Sequence, residues 1–182
     1  MRSDIVIVIG GSASGKSEFA EQLSLSKSGD KEVVYLATMR NTDPESLKRI
    51  EKHKRRRKDG EYYTIEEGRY LSSALLRVFP KGASCVLLEG LGTMVSNFMF
   101  GEDELCKLDS DHISELIIKE IIQLADISES LIIVSDNVFG DGNMYDEMTA
   151  KYIDVCGKVI SSLSSDACNV YEVVAGIPIK IK

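Results

Sequence analysis

The chain has 182 residues, 43% hydrophobic and 28% charged, with 22 Lys and Arg against 29 Asp and Glu for a net charge of −7. That mix fits one globular domain over residues 1–182 and excludes a collagenous, disulfide-stapled or disordered chain. The charge is uneven: Lys48–Lys58 holds eight basic residues and one acid, so the remaining residues together carry −14. A general nucleic-acid coat is excluded by that balance, whereas a local site for a small polyanion is not.

In chain order, Ile5–Ile9 is β-branched throughout and predicts a buried strand. A helix is expected over Ser17–Leu25, then a strand over Val33–Ala37. Asp43, Pro44 and Glu45 supply a cap, a first-turn proline and an acid, so a helix should start there and run into the basic stretch. Cys85–Leu88 reads as a third buried strand. Ile113, Ile117, Ile121, Leu124 and Ala125 mark one apolar face of a helix over Ser110–Ala125. A strand over Leu131–Ser135, a helix over Met144–Leu163 and a strand over Val170–Ala175 follow. Ile177–Ile181 alternates with Pro178 and Lys180, the pattern of an edge strand. Strand-length and helix-length segments in alternation predict an α/β domain of three layers around a mainly parallel sheet, closed by an antiparallel C-terminal edge strand.

The four cysteines, Cys85, Cys106, Cys156 and Cys168, form no C-x-x-C pair. They read as reduced, mostly buried thiols of a cytoplasmic protein. The opening apolar run is five residues long, too short for a signal-peptide core or a membrane span, and no membrane span is expected.

The strongest chemical signal is Gly10-Gly11-Ser12-Ala13-Ser14-Gly15-Lys16-Ser17, which fits G-x-x-x-x-G-K-[ST] between an expected strand and an expected helix. Glycines let the backbone wrap a phosphate with its N–H groups pointing inward, and the helix N-terminus adds its dipole. Lys16 would bridge β- and γ-phosphate oxygens, and the Ser17 hydroxyl would ligate Mg²⁺. The fold expectation sharpens to a P-loop NTPase-type domain. A dinucleotide-binding G-x-G-x-x-G fails on spacing, because Ser12 stands where its second glycine belongs. Glu89, at the end of the Cys85–Leu88 run, is the acid that such a loop needs for Mg²⁺ or its water.

Arg49, His53 and Arg57 recur at i, i+4, i+8 and share one face of the expected helix, with Lys54 beside them. Basic neighbours disfavour the cationic form of His53, leaving a neutral lone pair fit to attack a nucleotide phosphorus beside cations that stabilise its oxygens. His112 has only acids near it in sequence and reads as a surface histidine.

These segments resemble the bifunctional adenosylcobinamide kinase / adenosylcobinamide-phosphate guanylyltransferases of cobalamin assembly. The resemblance runs over nearly the whole chain. It comprises the loop Gly10–Ser17, Tyr35-Leu36-Ala37-Thr38, Arg49-Ile50-x-x-His53-Lys54-x-x-Arg57, Thr64-Ile65-Glu66-Glu67, Leu87-Leu88-Glu89, Thr93-Met94-Val95-Ser96-Asn97 and Val174-Ala175-Gly176-Ile177-Pro178-Ile179-Lys180. It implies that a nucleoside triphosphate binds at the loop and that His53 becomes guanylylated by GTP. It further implies guanine-nucleotide contacts from Ala37, Thr38, Met39, Lys54, Arg55, Arg56, Arg57, Glu66 and Glu89, a corrinoid acceptor, ATP or GTP as phosphoryl donor, and a homotrimer.

Departures from the family pattern cluster late in the chain. Asp136-Asn137-Val138-Phe139-Gly140 stands where the family has N-E-V-G, and Ile160-Ser161 where it has Asn-Gln. Tyr62 stands near a family tryptophan, and Lys58 in place of a proline. Two other functions use the same loop. One is a plain small-molecule kinase with Lys54–Arg57 as a phosphate clamp; the other is a GTP-binding regulator without turnover.

Overall fold

The computed structural model describes residues 4–39, 61–100, 104–138 and 145–182. Seven strands form one sheet: β1 (Asp4–Gly10), β2 (Val33–Ala37), β3 (Tyr62–Glu66), β4 (Ala83–Glu89), β5 (Ser128–Asp136), β6 (Asn169–Val174) and β7 (Ile177–Lys180), in the spatial order β3-β2-β4-β5-β1-β6-β7. All neighbouring pairs are parallel except β6 and β7. The expected mainly parallel sheet with an antiparallel C-terminal edge is therefore the observed one.

Five helices flank it among the described residues: α1 (Lys16–Ser28), α2 (Leu71–Val78), α3 (Leu91–Met99), α4 (Ser110–Asp126) and α5 (Glu147–Asp166). Alternate strand residues point to opposite faces, and each face has its own core. Val6, Val8, Tyr35, Leu87, Ile132 and Val134 pack toward α1, where Phe19 sets its ring edge-on to Tyr171 at 5.2 Å. Ile7, Leu36, Val86, Leu88 and Ile133 pack toward the helices α2 to α5. Strands buried on both faces must be apolar without alternation, which is why β1, β4 and β5 read as continuous runs.

Helix α4 carries Ile113, Ile117, Ile121 and Leu124 fully buried along one face, as expected from their spacing. Asp109 caps it by accepting from the His112 N–H at 2.9 Å, and the same carboxylate meets His112 Nδ1 at 2.7 Å. That contact raises the pKa of the exposed His112, a surface residue as expected. α5 is capped likewise by Asp146, which accepts from Met148 and Thr149 N–H at 3.0 Å each.

Three elements depart from the sequence-based expectation. β3, α2 and α3 occupy stretches with no expected element. β3 is an edge strand with an irregular burial pattern, lacking both the apolar run of a central strand and clean alternation. α2 is capped from outside its own sequence, since the Ser72 N–H donates to Glu120 Oε1 of α4 at 2.7 Å. α3 starts at Gly90, whose φ of 94° puts the chain in the left-handed region, so the local signal there is that of a turn. The helix expected from Asp43 lies outside the described residues.

Cys85 and Cys156 are buried and Cys106 partly so, but Cys168 is exposed, correcting the expectation for that thiol. It follows α5 directly, at the start of β6, where the chain turns at the surface. Among the described residues no helix is long and apolar enough to cross a membrane.

Two outcomes follow. Ile121→Ala, which empties a fully buried site, is expected to lower unfolding free energy by about 2–5 kcal/mol in urea titration. Burial pushes the Cys85 thiol up to about 12 and that of Cys156 up to about 11. A thiol reagent at pH 8 should therefore label native protein first at Cys168, with Cys85 and Cys156 protected until unfolding.

Candidate functional site

The carboxyl ends of β1 to β6 share one edge of the sheet, and register aligns the candidate residues along it. Glu66, Ala37, Glu89 and Val134 are successive partners across β3, β2, β4 and β5. Residues in one such row face the same side, here the side covered by α1. Two residues further on, Gly10 of β1 is partnered by Asp136 of β5 and by Val173 of β6.

From Gly10 the chain turns into the candidate phosphate loop. A Cβ on Gly10 would stand 2.4 Å from Ser14 Oγ and 2.8 Å from Val173 O, so only glycine lets the loop close on the sheet. Ala13 sits at φ 56°, a left-handed conformation that costs an alanine about 1 kcal/mol. The Ser14 N–H donates to Gly11 O at 3.2 Å, and Ser14 Oγ is buried with no hydrogen-bond partner among the described residues. From below, Gly176 N–H donates to Ser14 O at 2.7 Å. Ala175 and Gly176, with φ 49° and 80°, form the tight turn of the β6–β7 hairpin. Positive φ at both central residues is what a two-residue hairpin loop requires. The hairpin thus props the loop, a role that sequence reading did not assign to it.

Gly11, Ser12 and Ala13 are exposed; Gly15, Lys16 and Ser17 are partly buried where the loop enters α1. Ser17 Oγ donates to Glu89 Oε1 at 2.9 Å, across the width of β5. The hydroxyl and the carboxylate are both hard oxygen donors, and Mg²⁺ takes few protein ligands and completes its shell with phosphate and water oxygens. Among the described residues no group of three or more His, Cys, Asp or Glu could cage a metal. The Ser17–Glu89 pair therefore suits Mg²⁺ held jointly with a phosphate.

Lys16 Nζ donates to Gly11 O at 3.1 Å and pairs with Asp136 Oδ1 at 2.7 Å. Asp136 is the site residue that sequence reading missed, although its position just after an expected strand was a usable signal.

Ala37, the register partner of Glu89, and Met39 are partly buried, and Glu66 is exposed at the end of β3. Thr38 is buried: its hydroxyl donates to Glu89 O at 3.1 Å and Gly90 O at 2.7 Å. Its side chain therefore fixes the β4–α3 turn and does not face an open site. Asn97 of α3 completes the clamp, its Nδ2 donating to Thr38 O at 2.9 Å and Gly68 O at 3.1 Å. The buried Arg69 donates through Nε to Asn97 O at 2.6 Å, and its guanidinium lies 5.4 Å from the Phe98 ring centroid. His53, Lys54, Arg55, Arg56 and Arg57 lie outside the described residues. Asn97→Ala would strand two buried carbonyls, so a loss of about 1–3 kcal/mol in denaturant titration is expected. A weaker response to Mg²⁺ should accompany it as the Glu89 turn loosens.

In overall shape the chain is similar to the flagellar accessory protein FlaH from Methanocaldococcus jannaschii, with a TM-score of 0.52 and 12% identity, covering 94% of this chain and 71% of that one. It is also similar to a DnaB-like replicative helicase, with a TM-score of 0.53 and 12% identity over 94% and 48%. A solved ATPase domain gives a TM-score of 0.54 and 14% identity over 94% and 69%. These likenesses show a P-loop ATPase-type fold. In sequence the chain is 31% identical to the bifunctional adenosylcobalamin biosynthesis protein CobU of Escherichia coli and 33% identical to that of Salmonella typhimurium. Each alignment covers 98% of this chain and 99% of the relative. Pseudomonas aeruginosa CobP is 29% identical over 97% and 96%. The model of the family described as cobinamide kinase / cobinamide phosphate guanyltransferase matches residues 6–181, and the chain belongs to that family of enzymes.

Proposed function

We propose that the chain phosphorylates adenosylcobinamide with ATP or GTP and then transfers GMP from GTP to the product through a guanylylated His53. Beyond family membership, the observation that carries this reading is the Ser17–Glu89 contact beside Lys16, which pairs the loop with an acid two strands away.

In the kinase step, loop N–H groups and Lys16 hold the polyphosphate while the acceptor hydroxyl attacks the γ-phosphorus. Ser17 and Glu89 would hold Mg²⁺, which supplies charge neutralisation between phosphate oxygens when bound. In the transfer step, the neutral His53 imidazole forms a bond to the α-phosphorus of GTP as the bond to pyrophosphate breaks. An oxygen of adenosylcobinamide phosphate then attacks that phosphorus, the N–P bond breaks, and adenosylcobinamide-GDP leaves with the imidazole restored. Lys54, Arg55, Arg56 and Arg57 would offset the charge on the transferring phosphate. Gly10 to Ser17 are the loop contacts, and Ala37, Thr38, Met39 and Glu66 belong to the nucleotide's surroundings in this reading. For Thr38 the contribution is positional. A homotrimer, on the family resemblance, and a cytoplasmic setting, on the cysteine pattern, complete the proposal.

The test is covalent labelling. Protein incubated with Mg²⁺ and either α- or γ-labelled GTP, then denatured, should carry acid-labile, alkali-stable label from the α position only. His53→Ala should lose that label and keep measurable phosphoryl transfer to adenosylcobinamide, while Lys16→Ala should lose both. Equal loss of both activities in His53→Ala would refute the division of roles. Absence of α-label despite GTP binding would leave a plain kinase or a binding protein.

A further inference from the structure

Asp136 ends β5 opposite Gly10, and its Oδ1 stands 2.7 Å from Lys16 Nζ. The same ammonium donates to Gly11 O at 3.1 Å, so the lysine lies folded across its own loop. Its side chain is 12% exposed and that of Asp136 59%, which puts the acid on the outer side of the pair. The carboxylate is not on a wandering tip. Asn137 N–H donates to Gly10 O at 2.9 Å, and Asn137 Nδ2 donates to Glu172 Oε1 at 3.0 Å. Both bonds tie the residue after Asp136 to the strands on which the loop rests.

We propose that Asp136 is a positioning residue that latches Lys16 across its own loop, so that nucleotide phosphates must displace a carboxylate to recruit the lysine. This rests on the nucleotide-binding reading given above. Once displaced, the carboxylate stays at the loop mouth and repels the phosphates that took its partner. Its cost therefore grows with the number of phosphates that reach Lys16 and shrinks as salt screens the charges. A structural role for Asp136 would show neither dependence.

The experiment is calorimetric titration of the full-length wild type and Asp136→Asn with Mg²⁺ complexes of GMP, GDP and an α,β-methylene analogue of GTP, whose α–β linkage cannot be cleaved. Each is run at low and high salt. Asp136→Asn should bind the triphosphate analogue about three- to tenfold more tightly, the worth of a partly exposed ion pair and its lost repulsion. The gain should be smaller for GDP, absent for GMP, and reduced at high salt. Asp136→Glu, which keeps the charge, should stay near the wild type. Asp136→Ser gives a second neutral background, and circular dichroism melts establish that each variant is folded. Unchanged or uniformly shifted affinities in the neutral variants overturn the latch. So does weaker binding of these Mg²⁺ complexes by the neutral variants, which would put Asp136 on the cation. Wild-type protein that binds no triphosphate would overturn the latch together with the reading beneath it. Wild-type binding without a gain in the neutral variants overturns the latch alone.

Discussion

The insertion of β5 between β1 and β4 sets the geometry on which the rest of the site depends. Parallel pairing brings the carboxyl ends of six strands to one edge, but it also fixes their spacing at about 4.8 Å per strand. With β5 between them, the loop strand and the acid strand stand about 10 Å apart, too far for direct contact. The gap is closed from above: α1 leaves the loop at Gly15 and lays Ser17 over β5, where its hydroxyl reaches Glu89 at 2.9 Å. Register does the remaining work. Glu89 lies in the Val8 row, two residues short of Gly10, so the acid sits under the first turn of α1 and not against the loop backbone.

That arrangement holds only if the pieces around it are stiff, and the structure stiffens them with backbone acceptors. The loop is strained at Ala13 and is held by a hydrogen bond from the β6–β7 hairpin into Ser14 O. The Glu89 end is held by Thr38, whose hydroxyl donates to two successive carbonyls, and by Asn97, which ties the β2 and β3 ends to α3. Arg69 then caps Asn97 from a buried position. Thr38 and Arg69 are buried and Asn97 partly so, and loss of one of these donors leaves a carbonyl short of its partner. Family segments that look unconnected in the sequence are joined by these bonds, Thr38 to Asn97 and Gly176 to the Gly10–Ser17 loop.

The elements legible in the sequence are those whose local signal and tertiary role agree. β1, β4 and β5 are buried on both faces and therefore apolar throughout, and α4 has one buried face at helical spacing with its own Asp109 cap. β3, α2 and α3 were not legible because their determinants lie elsewhere in the chain. α2 takes its N-terminal acceptor from Glu120, and β3 is held at the edge by pairing with β2. For the site, the loop was readable from its spacing, since a phosphate cradle needs glycines, a lysine and a hydroxyl in fixed order, and Glu89 from its place at the end of an apolar strand. Thr38 was legible as a position but not as a function, because burial and its two carbonyl partners emerge only from the packed turn. Asp136 was passed over for a related reason. Its partner, Lys16, is 120 residues away in the chain, and only the pairing of β1 with β5 brings them together.

The distribution of charge connects these observations to the uneven composition. Around the carboxyl edge the described residues supply Glu66, Glu89, Asp136 and Glu172, and the loop lysine is already paired with one of them. Such a surface repels a polyphosphate unless cations enter from outside this set. Mg²⁺, which Ser17 and Glu89 would hold, is one such source in the proposed reading. The other proposed source is the segment Lys48–Lys58, where eight of the chain's 22 basic residues are gathered. In sequence it lies between β2, whose Ala37 is in the same row as Glu89, and β3, and it falls outside the described residues. An acid-lined edge whose loop lysine is already paired is a poor polyphosphate site alone. In the proposed reading, Mg²⁺ and this basic segment would each offset part of the charge that a polyphosphate brings to the acidic edge.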